Sequence, residues 1–83
     1  MPSYFFKLLG GFGDRAEVDI DIDFDLSVAQ VKDLVRKALR VVPNMGIELM
    51  VKGKKLSDGQ KWGMTDASPN STSPILVIGH RND

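Results

Sequence analysis

The spacing of apolar and polar positions changes period several times along the chain, and each change predicts an element. Tyr4 to Leu9 (Tyr-Phe-Phe-Lys-Leu-Leu) is aromatic and aliphatic, the composition of a strand. Gly10-Gly11-Phe12-Gly13-Asp14 then predicts a turn, because glycine reaches positive φ without steric cost. From Ala16 to Phe24 the pattern alternates strictly. Ala16, Val18, Ile20, Ile22 and Phe24 fall on one face, and Glu17, Asp19, Asp21 and Asp23 on the other. A period of two predicts a half-buried strand, which closes an opening hairpin with the first.

The period then lengthens to that of a helix. Ser27 and Gln30 are spaced as a capping box, with Leu26 and Val31 placed as a hydrophobic staple around it. Val28, Val31, Leu34, Val35, Ala38, Leu39 and Val42 recur at helical spacing and predict the buried stripe. Lys32, Arg36, Lys37 and Arg40 lie largely off it, the last three suiting the negative C-terminal end of the helix. Pro43 is expected to close the segment. Beyond it, Ile47 to Val51 predicts a third strand, turned at Lys52-Gly53-Lys54. Leu56 is expected to be buried, Ser57-Asp58-Gly59 to turn, and Trp62 and Met64 to act as isolated apolar anchors. Ser68 to Pro74 reads as a solvated loop, Ile75 to Ile78 as a final short strand, and Gly79 to Asp83 as a polar tail. No internal repeat or linker divides the chain, so residues 1–83 are expected to form one domain.

Composition narrows the function. A chain of 83 residues buries about 60% of the surface its unfolded form exposes, which suits a small shared core better than a deep cleft. Eleven basic and eleven acidic residues balance, which argues against a dedicated nucleic-acid binder. The balance hides a segregation. Residues 1–30 carry two basic and six acidic residues, and residues 31–83 carry nine basic and five acidic. With no cysteine, disulfides, thiolate metal sites and thiol nucleophiles are excluded, and a cytoplasmic or nuclear setting is expected. No apolar run approaches the ~20 residues of a membrane helix. Met1-Pro2-Ser3-Tyr4 lacks the basic start of a signal peptide.

Little in the chain carries chemistry. Asp19, Asp21, Asp23 and Asp25 superficially resemble a calcium loop. An EF-hand starting at Asp19 needs glycine at position 24 and a bidentate glutamate at position 30, where Phe24 and Gln30 stand. These carboxylates read as a solvated strand face. The glycine-rich turn precedes a strand rather than a helix, so it is not a phosphate cradle. His80, the single histidine, has no cysteine to activate and no acid placed beside it by the sequence. No catalytic residue, metal ligand or cofactor is expected.

The stronger signal is a surface. If the last strand pairs beside the third, alternation buries Leu49, Val51, Ile75 and Val77 and turns Met50, Leu76 and Ile78 outward. Lysines 52, 54, 55 and 61 follow Met50 in the sequence, and an apolar cluster with a basic rim is typical of a protein-docking patch.

Element order and motifs together resemble ubiquitin and its β-grasp relatives over essentially the whole chain. Ser27-Val28-Ala29-Gln30-Val31-Lys32 is similar to ubiquitin's capped helix start, and Val42-Pro43 through Leu49-Met50-Val51-Lys52-Gly53-Lys54-Lys55-Leu56-Ser57-Asp58-Gly59 aligns without a gap. A narrower likeness is to the N-terminal ubiquitin-like domain of the proteasome-associated ubiquitin-specific protease, carried by Met50-Val51-Lys52-Gly53, Leu56, Asp58, Trp62-Gly63 and the apolar run ending at Gly79. The ubiquitin-like domain of a proteasome-associated phosphatase shares the lysine-glycine turn and resembles the Gly79 to Asp83 ending.

The resemblance implies an α+β, ubiquitin-like β-grasp: a mixed sheet of four to five strands packed on one main helix. Ubiquitin's central hydrophobic contact falls on Met50, its last-strand partner on Ile78, its patch histidine on Leu76 and an arginine on Glu48. The function implied is a non-conjugated, monomeric interaction module. It docks its parent, a deubiquitinase, on a proteasome regulatory-particle subunit or other ubiquitin receptor, through Met50, Leu76 and Ile78 with Lys52, Lys54 and His80 as basic rim. Conjugation is not expected, since no Gly-Gly follows the final apolar run. A phosphatase parent, a shuttle receptor, a covalent modifier and a scaffold acting through the acidic strand are the alternatives.

Overall fold

The computed structural model describes residues 2–11, 13–42, 45–69 and 74–81, the side chain of Arg81 excepted. It is a small α+β unit whose elements run β1 (Ser3–Leu9), β2 (Glu17–Asp21), α1 (Val28–Leu39), β3 (Met45–Val51), β4 (Lys54–Lys55), a single 3-10 turn (Trp62–Met64) and β5 (Ile75–Arg81). Five strands form one sheet in the order β2-β1-β5-β3-β4. β1 and β5 are parallel and every other neighbouring pair is antiparallel, so the sheet is mixed, with a parallel pair at its centre.

Alternation decides which face is core. Tyr4, Phe6 and Leu8 of β1, Ile47, Leu49 and Val51 of β3, and Ile75 and Val77 of β5 are buried against Val28, Val31, Val35 and Leu39 of α1. Trp62 closes this core from the side, edge-on to Tyr4 with centroids 5.1 Å apart and tilted on Phe6 at 6.0 Å. It is 1% exposed, and its indole N–H has no hydrogen-bond partner among the described residues.

The helix begins as its sequence predicts. Ser27 N–H donates to Gln30 Oε1 at 2.9 Å, and Gln30 N–H donates to Ser27 Oγ at 3.2 Å. Its remaining free donors are met from a distant segment: Val28 N–H reaches Gln60 C=O at 2.8 Å and Ala29 N–H reaches Asp58 C=O at 3.2 Å. The helix ends at Leu39, ahead of the Pro43 stop expected from the sequence. Arg40 turns left-handed (φ 52°) and its N–H closes onto Arg36 C=O, which caps the helix without proline. Pro43 itself lies outside the described residues.

Several expectations are corrected. The period-two pattern overshoots, because β2 ends at Asp21 and the chain then turns: Asp25 N–H donates to the Asp23 carboxylate at 2.9 Å, leaving Phe24 52% exposed. Leu34 and Val42 are exposed rather than part of the buried stripe, and Met64 is 81% exposed and anchors nothing. The glycine-rich loop does more than reverse the chain. The N–H groups of Asp14 and Arg15 donate to Leu39 C=O at 3.0 and 3.3 Å, so the loop folds back on the helix C-terminus. β5 runs three residues past the predicted strand, with Gly79 opposite Ile47, His80 opposite Gly46 and Arg81 opposite Met45. β3 starts correspondingly early at Met45.

Candidate docking face

The face of the sheet turned away from α1 carries the predicted patch. Cross-strand partners share a face, so the pairs Met50↔Leu76 and Glu48↔Ile78 place all four side chains on one side, opposite the buried Leu49 and Val77. Met50, Leu76 and Ile78 are each half-buried by their neighbours rather than covered. The parallel pairing of β1 extends the row, setting Lys7 beside Leu76 and Leu9 beside Ile78. Leu9 is 42% exposed and belongs to the same apolar surface, although its sequence context reads only as strand. The β1–β5 register that brings it there is a long-range pairing without a local signal.

The rim differs from the predicted one. β3 and β4 are joined by the two-residue turn Lys52-Gly53, with φ of 51° and 79°, the double left-handed geometry of a tight hairpin. Lys52 therefore sits exposed at the hairpin tip. Lys54 pairs with the buried Val51 and has the opposite parity to the patch, whereas Lys55 pairs with Met50 and shares its face. The lysines on this face are thus Lys55 on one flank and Lys7 on the other. Lys52 and Lys54 are at the edge. His80 lies on the patch face, opposite Gly46, and its Nε2 is 3.5 Å from Glu48 Oε1.

Glu48 is held from two sides. Besides His80, Lys32 Nζ of α1 approaches its Oε2 at 3.3 Å and also contacts the Asp58 carboxylate. Burial works against the Lys32 ammonium, but hydrogen bonds and charge attraction from Asp58 and Glu48 outweigh it and hold its pKa above the ordinary lysine value. The negative charge at Glu48 is therefore partly neutralised by the helix. Across the sheet the face reads basic at Lys55, apolar at Met50 and Leu76, basic at Lys7 and acidic at Glu17.

This arrangement has the parts of a binding surface. No group of three or more metal-binding side chains gathers among the described residues. No helix among them is long and apolar enough to cross a membrane. Comparison with protein-family models and with curated proteins finds no match.

Proposed function

We propose that this chain is a ubiquitin-like β-grasp domain that docks a larger protein on a proteasome regulatory-particle subunit or another ubiquitin receptor. The observation that carries the reading is the apolar row Met50, Leu76, Ile78 on the sheet face opposite the helix, with Lys55 and Lys7 on its flanks. The residues that resemble ubiquitin's patch are the same ones, and the strand order with a central parallel pair is compatible with a β-grasp. Half-buried apolar side chains supply the desolvated centre, and the flanking lysines favour an acidic receptor surface and raise its association rate. A patch of this size corresponds to a reversible contact of about micromolar strength. In the parent protein, a deubiquitinase on this reading, such a contact raises the local concentration of an attached catalytic domain at its substrates.

The non-conjugated reading draws support from Gly79, which is paired with Ile47 inside β5 and so is not a free glycine tail. Met50→Asp tests the docking face. Binding to purified proteasome regulatory particle, measured by co-sedimentation, is expected to fall at least tenfold, while unfolding free energy stays within about 1 kcal/mol. Cooperative loss of folding in that variant would place Met50 in the core. Retained binding with an intact fold would move the contact elsewhere.

A further inference from the structure

The second feature with an unmet interaction is the open edge of the sheet at β2. Among the described residues β2 pairs with β1 alone and stands last in the strand order. Leu8 N–H donates to Ala16 C=O at 2.7 Å and Ile22 N–H to Pro2 C=O at 3.0 Å. In that register Val18 and Ile20 also turn their peptide groups toward β1, so Glu17, Asp19 and Asp21 turn theirs outward. These three residues also carry carboxylates on one face, about 6.5–7 Å apart along the strand.

The other face of this edge is apolar. Val18 and Ile20 are only partly buried where they pack on the core. Lys32 and Arg36 reach from α1 to Glu48 and to Met45 C=O on β3. The opposite flank of the helix therefore faces the β2 end of the sheet, and Leu34 on that flank is 38% exposed. Open peptide groups, a row of acids and an apolar trough thus lie along one strand.

We infer that β2 accepts an extended basic peptide of a partner protein as a sixth, antiparallel strand, with Lys or Arg at alternate positions opposite Glu17, Asp19 and Asp21 and β-branched residues between them over Val18, Ile20 and Leu34. Main-chain hydrogen bonds supply the contact and the alternate side chains select the sequence. Charge excludes a second copy of the chain from this place. Antiparallel pairing of two β2 edges about Asp19 sets Asp19 against Asp19 and Glu17 against Asp21, which is repulsive at every step. This inference is independent of the docking face, which lies around Met50 at the other side of β1.

The test is a titration of the isotopically labelled chain with the acetylated, amidated peptide Lys-Val-Lys-Val-Lys. The same peptide N-methylated at its lysine backbone nitrogens keeps the charge and removes the donors. Amide shift changes and slowed hydrogen exchange are expected at Glu17, Asp19 and Asp21, with at least tenfold weaker binding by the N-methylated peptide. The exposed variant Asp19→Lys is expected to weaken binding at least tenfold with an unchanged thermal transition. Equal binding of both peptides means charge attraction alone and overturns the inference, as do shifts centred on Met50 and Leu76 or the absence of any shift. Concentration-dependent dimers of the free chain that protect the same three amides would give the edge to a second copy instead.

Discussion

Gly13 is the residue where the smallest side chain has the largest consequence. A Cβ there would come within 2.8 Å of Leu39 C=O and 3.0 Å of Leu8 Cδ2, so the loop can reach the helix end only without one. Gly13→Ala is expected to destabilise the fold by about 1–3 kcal/mol in denaturant unfolding, because a backbone oxygen cannot move aside as a side chain can. Trp62 presents the opposite case, a large side chain with an unmet donor. Trp62→Phe loses volume but also removes the unpartnered N–H, two effects of about 1–3 kcal/mol each and of opposite sign, so a net change within about 2 kcal/mol is expected. Trp62→Ala removes the same N–H but leaves a much larger cavity, and is expected to cost about 3–5 kcal/mol. A loss of about 3 kcal/mol or more for Trp62→Phe would mean that the indole N–H is satisfied in solution.

The elements were legible to different degrees. Helix initiation is a local matter of side chains three residues apart, and the capping box at Ser27 and Gln30 forms as its spacing predicts. Ser27→Ala is expected to cost about 1 kcal/mol, measured by thermal or urea unfolding. Helix termination was less legible, since it depends on Arg40 adopting a left-handed conformation that its residue type does not favour. Strand ends were misplaced for related reasons. The expected strands begin at Ile47 and end at Ile78, yet Gly46 and Gly79 continue the β3–β5 ladder because each faces a partner strand already in register. Phe24 continues the alternation of β2, but the Asp23 carboxylate draws the chain into a turn two residues after the strand ends.

At the scale of the molecule, Lys32 ties the two layers together, joining α1 to Glu48 of β3 and to Asp58 in the loop that also caps the helix start. Its pKa is raised on folding, so its contribution is fully present below the unfolded lysine value of about 10.4 and is lost as pH rises through the higher folded value. Lys32→Met is expected to lower stability at pH 7 by about 1–2 kcal/mol and to flatten the fall in stability above about pH 10, as read from urea midpoints across pH. An unchanged alkaline limb in that variant would assign the loss to other lysines.

The sequence by itself determined the helix, four of the strands and most of their inward positions, because a period of two or 3.6 commits a side chain to a face of its own element, and it grouped Met50, Leu76 and Ile78 outward once the last strand is set beside the third. Charge segregation was also visible there, as an acidic first part and a basic second part. Only the tertiary structure decided how these lie together. Pairing of β1 with β5 brings Leu9 and Lys7 to the patch from the far end of the chain, and the parity of the β3–β4 hairpin puts Lys55 on that face in place of Lys54. The same strand order leaves β2 at an open edge, so the acidic strand lines the end of the sheet rather than its middle. The physical reason is common to all three: strand register and order are set by long-range pairing around a shared core, and a one-residue change in register moves every side chain to the other face.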